Sequence, residues 1–132
     1  MTKPLLIDGL KFDLRLYILL QSVDPLRIFL YKEGMARFST VAYQVPSATN
    51  LKNQFMHLTN YAINQKNKDV FQFNDDAEVS DVGHKRTFTS ILNHIVETYP
   101  DGQHKVNQLL LQIELIIIRT ILTVQPSLKS NL

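Results

Sequence analysis

Between Lys11 and Gln21 the chain alternates with a period of two residues, and this restricts the fold more than any other feature. Phe12, Leu14, Leu16, Ile18 and Leu20 form one side. Lys11, Asp13, Arg15, Tyr17 and Gln21 form the other, with Leu19 among them. Successive side chains of a strand point to opposite faces, so this pattern predicts a half-buried strand over residues 12–20. Pro25 ends it, because proline fixes φ and restrains the residue before it. A second strand is predicted over Leu26–Tyr31, a tight turn at "KEG" with Gly34 at positive φ, and a short third strand at "MARFS" carrying Arg37. Short connections make the three strands an antiparallel meander.

The second half reads differently. Residues 44–68 are rich in Asn and Gln and lack a clean period, so a loop is predicted. "DVFQFNDDAEVSDVG" reads as an acidic surface segment. Thr87 is placed to cap a helix over "FTSILNHIVETY", which should stop before Pro100. "DG" then makes a turn, and a second helix is predicted from about His104 to Val124, ending ahead of Pro126. Its apolar residues, among them Val106, Leu109, Leu110, Ile113, Ile116 and Ile117, cover more than half its circumference. Such a helix needs partners on several sides. Three strands and one other helix hardly supply them, so an oligomer or a larger fold is expected. The class is α+β: an antiparallel β-meander followed by two helices.

Composition narrows function mainly by exclusion. The 132 residues suit one domain. Fourteen basic and twelve acidic side chains give a formal charge of +2, too balanced to indicate nucleic-acid binding. Without cysteine there is neither a disulfide scaffold nor a thiolate metal site. "MTKPLLIDG" does not read as a signal peptide, and the apolar run Leu115–Ile118 is far short of a membrane span. A soluble, intracellular protein is expected. His84, His94 and His104 recur at ten-residue intervals, which is no chelating spacing, and His57 is isolated. Asp75, Asp76, Glu78 and Asp81 lack the order of a calcium loop.

The face carrying Lys11, Asp13 and Arg15 has two readings. It is either an exposed face laced by cross-strand ion pairs or a site for an anion, in which arginine and lysine neutralise phosphate oxygens. In the second reading the carboxylate accepts from a sugar hydroxyl or holds a cation in register. Arg37 can reach the same face, and Thr59, Asn60 and Tyr61 of "HLTNYAIN" offer neutral hydrogen-bonding groups. The alternative for this stretch is a loop whose polar side chains satisfy its own backbone.

Taken together, "KPLLIDGLKFDLRLYILLQSVDPLRIFLYKEGMARFST", "NLKNQFMHLTNYAINQKN" and "GHKRTFTSIL" resemble the tubulin tyrosine ligase-like family, and its polyglutamylase branch most closely. The resemblance spans nearly the whole chain and implies that residues 1–132 are the central segment of an ATP-grasp ligase domain. It implies that ATP turns a protein carboxylate into an acyl phosphate, which the amine of free glutamate attacks. By position, Lys11, Phe12, Asp13, Thr59 and Asn60 resemble nucleotide contacts. Arg15 resembles the catalytic arginine that steadies the transferring phosphoryl group. Arg37, Tyr61 and Lys85 resemble residues that bind the incoming amino acid. The motif departs from the pattern at Ala62 and Gln65, which remove a hydroxyl and a charge.

The family's magnesium ligands, an Asp and a later E-x-N pair, are expected after this stretch, and its adenine-binding lysines before it. None of the metal ligands is expected among these residues, so the segment alone is expected to be inactive. The resemblance further implies tubulin or microtubules, through their acidic tails, as partner, with neither nucleic acid nor membrane. It implies a place in the cytoplasm on the cytoskeleton, in a cilium, axoneme or basal body. The competing expectation is a non-catalytic microtubule- or cilium-associated protein derived from the same family.

Overall fold

The computed structural model describes residues 3–71 and 83–130. The described elements are β1 (Leu6–Ile7), β2 (Leu10–Val23), β3 (Leu26–Phe38), α1 (Gln54–His57), α2 (Tyr61–Asn64), β4 (Lys85–Thr87), α3 (Phe88–Thr98) and α4 (Gly102–Ser130). The strands form one sheet in the order β1-β2-β3-β4. The α+β expectation, an antiparallel sheet followed by helices, is therefore borne out. The acidic segment lies largely outside the described residues. The chain divides into two compact units, one of Met1–Arg15 with Gly34–Ile91, the other of Leu16–Glu33 with Leu92–Leu132.

In the first unit, β1 and β2 join through Asp8 and Gly9, at φ 54° and 72°. Two consecutive positive φ values are what a two-residue hairpin matched to the strand twist requires, and Asp-Gly supplies them. Leu6 faces Lys11 and Ile7 faces Leu10. Ile7, Ala36, Phe38, Met56, Phe88 and Ile91 are buried. Phe12 stacks on Phe38 with ring centroids 5.2 Å apart, and the Arg86 guanidinium lies 4.4 Å from the Phe38 centroid. β4 pairs antiparallel with β3, with Met35 opposite Thr87, Ala36 opposite Arg86 and Arg37 opposite Lys85. The Thr87 hydroxyl accepts from the Ser90 amide at 3.1 Å, the expected helix cap.

"KEG" makes no turn. β3 runs unbroken from Leu26 to Phe38, and Gly34 is not among the residues at positive φ. Glycine permits that conformation without imposing it, and here the sheet on either side holds it extended. The expected second and third strands are therefore one strand, and Arg37 sits beside β2. The expected loop holds two one-turn helices, α1 and α2.

In the second unit the hairpin turns at Asp24 and Pro25, whose peptide bond is cis. α4 passes Pro126 and reaches Ser130 instead of stopping before the proline. Proline removes one amide donor, but contacts to the β2 end hold the last turns. Gln125 Nε2 donates to the Val23 carbonyl at 2.7 Å, and Lys129 pairs with Asp24 at 2.9 Å. At the other end Gly102 is buried. A Cβ there would lie 2.5 Å from both the Ile95 carbonyl oxygen and the Val96 Cα, which are backbone atoms and cannot swing away. Gly102→Ala is expected to lower stability by about 1–3 kcal/mol, measured by urea unfolding.

Only Gly102 and Val106 of α4 are buried, and Leu111, Leu115, Ile116, Ile118 and Leu122 are exposed. The expected cover on several sides is absent within the described residues. By length and composition α4 is also apolar enough to cross a membrane. Counting consecutive apolar residues missed this, because its polar residues are interspersed. A core helix of a larger soluble fold meets the same measure.

Candidate functional site

The site lies in the first unit, where β2, β3, β4 and the α1–α2 segment supply its side chains. Asp13 on β2 reaches across to Arg37 on β3. Arg37 Nε donates to Oδ1 at 3.0 Å and Nη2 to Oδ2 at 2.7 Å, a two-pronged pair. Arg15 Nε approaches the same carboxylate at 3.1 Å. The Thr59 hydroxyl is a further hydrogen-bond partner. Arg37 is mostly covered, with 18% of its side chain exposed, against 51% for Arg15.

Burial acts most strongly on the Asp13 carboxyl and raises its pKa. The hydrogen bonds from Arg37 and Thr59 and the charges of Arg37 and Arg15 together outweigh it, leaving the pKa below the ordinary 3.8. A carboxyl depressed on folding adds stability that is fully present above its unfolded pKa and lost as pH falls through the folded one. Thermal melts should therefore show no loss from Asp13 down to about pH 4 and a loss below it. Asp13→Asn should flatten that acid limb.

Beside this cluster is a cavity of about 300 Å³. Its polar lining is Arg37, Thr59, Tyr61, Asn64, His84 and Lys85, and its apolar lining Met35, Phe38 and Phe71. Phe71 stacks on His84 at 5.5 Å and meets Tyr61 edge-on at 5.5 Å. Arg37 and Lys85 are direct partners across β3 and β4, so two cations share one wall.

Asn64 locks the segment bearing Thr59 and Tyr61, and it is 1% exposed. Its Oδ1 accepts from the Thr40 amide at 3.0 Å and the Thr40 hydroxyl at 2.9 Å. Its Nδ2 donates to the carbonyls of Leu58 at 2.8 Å and Asn60 at 3.1 Å. All the hydrogen-bonding capacity of this side chain is thus satisfied, half by its own segment and half by Thr40.

A model of the tubulin-tyrosine ligase family matches residues 1–131. The chain belongs to the tubulin-tyrosine ligase family. It is 52% identical over 128 residues to a probable beta-tubulin polyglutamylase of Tetrahymena thermophila, covering 97% of this chain and 10% of that protein. It is 48% identical over 130 residues to tubulin polyglutamylase TTLL13 of Mus musculus, covering 98% of this chain and 15% of the relative. Against tubulin polyglutamylase TTLL5 of Homo sapiens the identity is 46% over 122 residues, 92% of this chain and 9% of the relative. The chain thus spans between about a tenth and a seventh of the length of these relatives.

Of the residues singled out by resemblance to the tubulin-tyrosine ligase family, the fold gathers six. Arg37, Thr59, Tyr61 and Lys85 line the cavity, Asp13 joins them through Arg37 and Thr59, and Arg15 joins through Asp13. Three stand apart from the lining. Lys11 Nζ donates to the His57 carbonyl at 2.7 Å, Phe12 stacks on Phe38, and Asn60 lends its carbonyl to Asn64. Met35, Asn64, Phe71 and His84 were not singled out as site residues. "NYAIN" did contain the signal for Asn64, since a side chain four residues after Asn60 on a helical turn can bond back to that carbonyl.

The charge readings merge. Asp13 is in a cross-strand ion pair, and its partner Arg37 faces a cavity. Phosphate oxygens fit Arg15 and Arg37. A divalent metal does not fit: among the described residues no three His, Cys, Asp or Glu side chains group to hold one, and Asp13 is flanked by guanidiniums.

Proposed function

We propose that this chain is the central part of an ATP-dependent ligase that adds glutamate to glutamate side chains in the acidic tails of tubulin. The observation that carries this reading is the excess of cations at the cavity, with Arg37 and Lys85 cross-strand partners on its wall and Arg15 beside them. Asp13 balances one of these three positive charges, and a ligand with two carboxylates balances the two that remain. Glutamate has two and glycine one. The relatives that the chain resembles, all polyglutamylases, support the same choice.

In this reading Arg37, Lys85 and Tyr61 hold the amino acid. Thr59, Asn60, Lys11, Phe12 and Asp13 contact or shape the nucleotide site, and Arg15 steadies the transferring phosphoryl group by charge. ATP, when bound, supplies the phosphoryl group that activates the acceptor carboxylate. Such a transfer needs a metal site, so residues 1–132 alone should bind but not ligate. The protein would work on cytoskeletal microtubules, ciliary ones included.

The test uses the native-length protein carrying these residues, with ATP, Mg²⁺, L-glutamate and tubulin. Mass spectrometry of the tails should show added glutamate, dependent on ATP. No addition, with tail-dependent co-sedimentation on microtubules, would replace this reading by a non-catalytic binder.

A further inference from the structure

At Asp13 three site-forming segments meet through one side chain. It takes both prongs of Arg37 from β3, at 3.0 and 2.7 Å. It takes Arg15 from its own strand at 3.1 Å and the hydroxyl of Thr59 from the segment between α1 and α2. Two of these partners, Arg37 and Thr59, line the cavity. An anionic group in an anion-binding region lowers the attraction for the ligand by simple Coulomb reasoning. Its place there calls for a compensating gain.

We infer that Asp13 is a positioning residue that fixes the Arg37 guanidinium, with Arg15 and Thr59, in the geometry that receives an anionic ligand. Arginine carries several rotatable bonds, and ordering such a side chain on binding opposes association. A guanidinium already held in a planar fork does not incur that cost when the ligand arrives. Asp13 also restrains Thr59, whose backbone is tied through Leu58 and Asn60 to Asn64. One carboxylate therefore sets the direction of a cation and of a hydroxyl that both line the cavity. This rests on the cavity taking an anion, as proposed above.

The two effects of Asp13 have opposite signs, which makes the inference testable. Asp13→Asn keeps the shape and removes the negative charge. If Asp13 merely balances charge, the variant binds anions more tightly. If it positions Arg37, the variant binds more weakly despite its added positive charge. L-glutamate affinity would be measured by calorimetry for both proteins at matched ionic strength, well below their melting temperatures. The expected result is a loss of about threefold to tenfold. Equal or tighter binding by Asp13→Asn would overturn the inference and leave the amino-acid site standing. Absence of L-glutamate binding by the unsubstituted protein would overturn both.

A measurement on the unsubstituted protein covers the case of a variant that does not fold. The Arg37 Nε–H resonance, identified by its loss in Arg37→Lys, should be resolved and slow to exchange before any ligand is added. An averaged, rapidly exchanging signal would contradict the inference.

Discussion

Asn64→Leu is expected to lower the unfolding free energy by on the order of 3 kcal/mol or more, a larger loss than any other single change discussed for this fold. The substitution is close in volume, so the loss comes from polar groups. The Thr40 amide and the Leu58 carbonyl lose partners 3.0 and 2.8 Å away, while the Asn60 carbonyl keeps the Ile63 and Asn64 amides at 3.1 and 3.0 Å. Each buried polar group left alone costs about 1–3 kcal/mol. The Thr40 hydroxyl keeps Asn67 as a partner at 3.2 Å, which limits the damage at that point. Urea unfolding measures the difference. A loss under about 1 kcal/mol would show that the segment from Leu58 to Asn64 is held by something other than this side chain. Because Thr59 and Tyr61 lie within that segment, the same variant should loosen the cavity lining even where the protein stays folded.

Arg37→Met is expected to weaken L-glutamate binding about a hundredfold while costing less stability. Methionine keeps an apolar stem and removes the guanidinium. Hydrogen bonds to charged groups contribute about 1.5–3 kcal/mol each, and every 1.4 kcal/mol is tenfold in affinity. Asp13 keeps Arg15 and Thr59 as partners, so its carboxylate is not stranded. Calorimetry with L-glutamate and with glycine separates the contributions. The variant should lose most of the difference between the two amino acids as well as affinity. Unchanged glutamate binding would remove Arg37 from the site.

The local rules that worked in the sequence share a physical character. Alternation from Lys11 to Gln21 gave the long strand, because a period of two leaves no other regular structure. Thr87 gave the start of α3, because a hydroxyl before a helical run has one favourable place to bond. Asp8 and Gly9 carried an equally plain hairpin signal, although β1, with only two residues, was too short to show a period of its own.

Readings that failed depended on partners distant in sequence. Gly34 looked like a turn because glycine allows one, yet neighbouring strands keep it extended. Pro126 looked like a helix end because it lacks an amide, yet Gln125 and Lys129 are fastened to Val23 and Asp24, about a hundred residues away. The candidate site followed the same division. Its charges were visible as an alternating row, and the resemblance located Arg37, Thr59, Tyr61 and Lys85. Which of them share a cavity depends on the pairing of β3 with β4 and on the buried Asn64. Neither is written in a local pattern. Met35, Phe38 and Phe71 were invisible for that reason: an apolar or aromatic side chain lining a cavity reads in sequence like any other core residue, and His84 was weighed only as a metal ligand.

The central claim is that the cavity beside Asp13 receives an anionic amino acid. Amide and arginine side-chain chemical shifts, followed by NMR while L-glutamate is added, test it most directly. The account predicts that the largest shifts fall on Arg37, Thr59, Tyr61 and Lys85, saturate with L-glutamate and are much weaker with glycine. Shifts absent at these four residues, or of the same size with both amino acids, would contradict it.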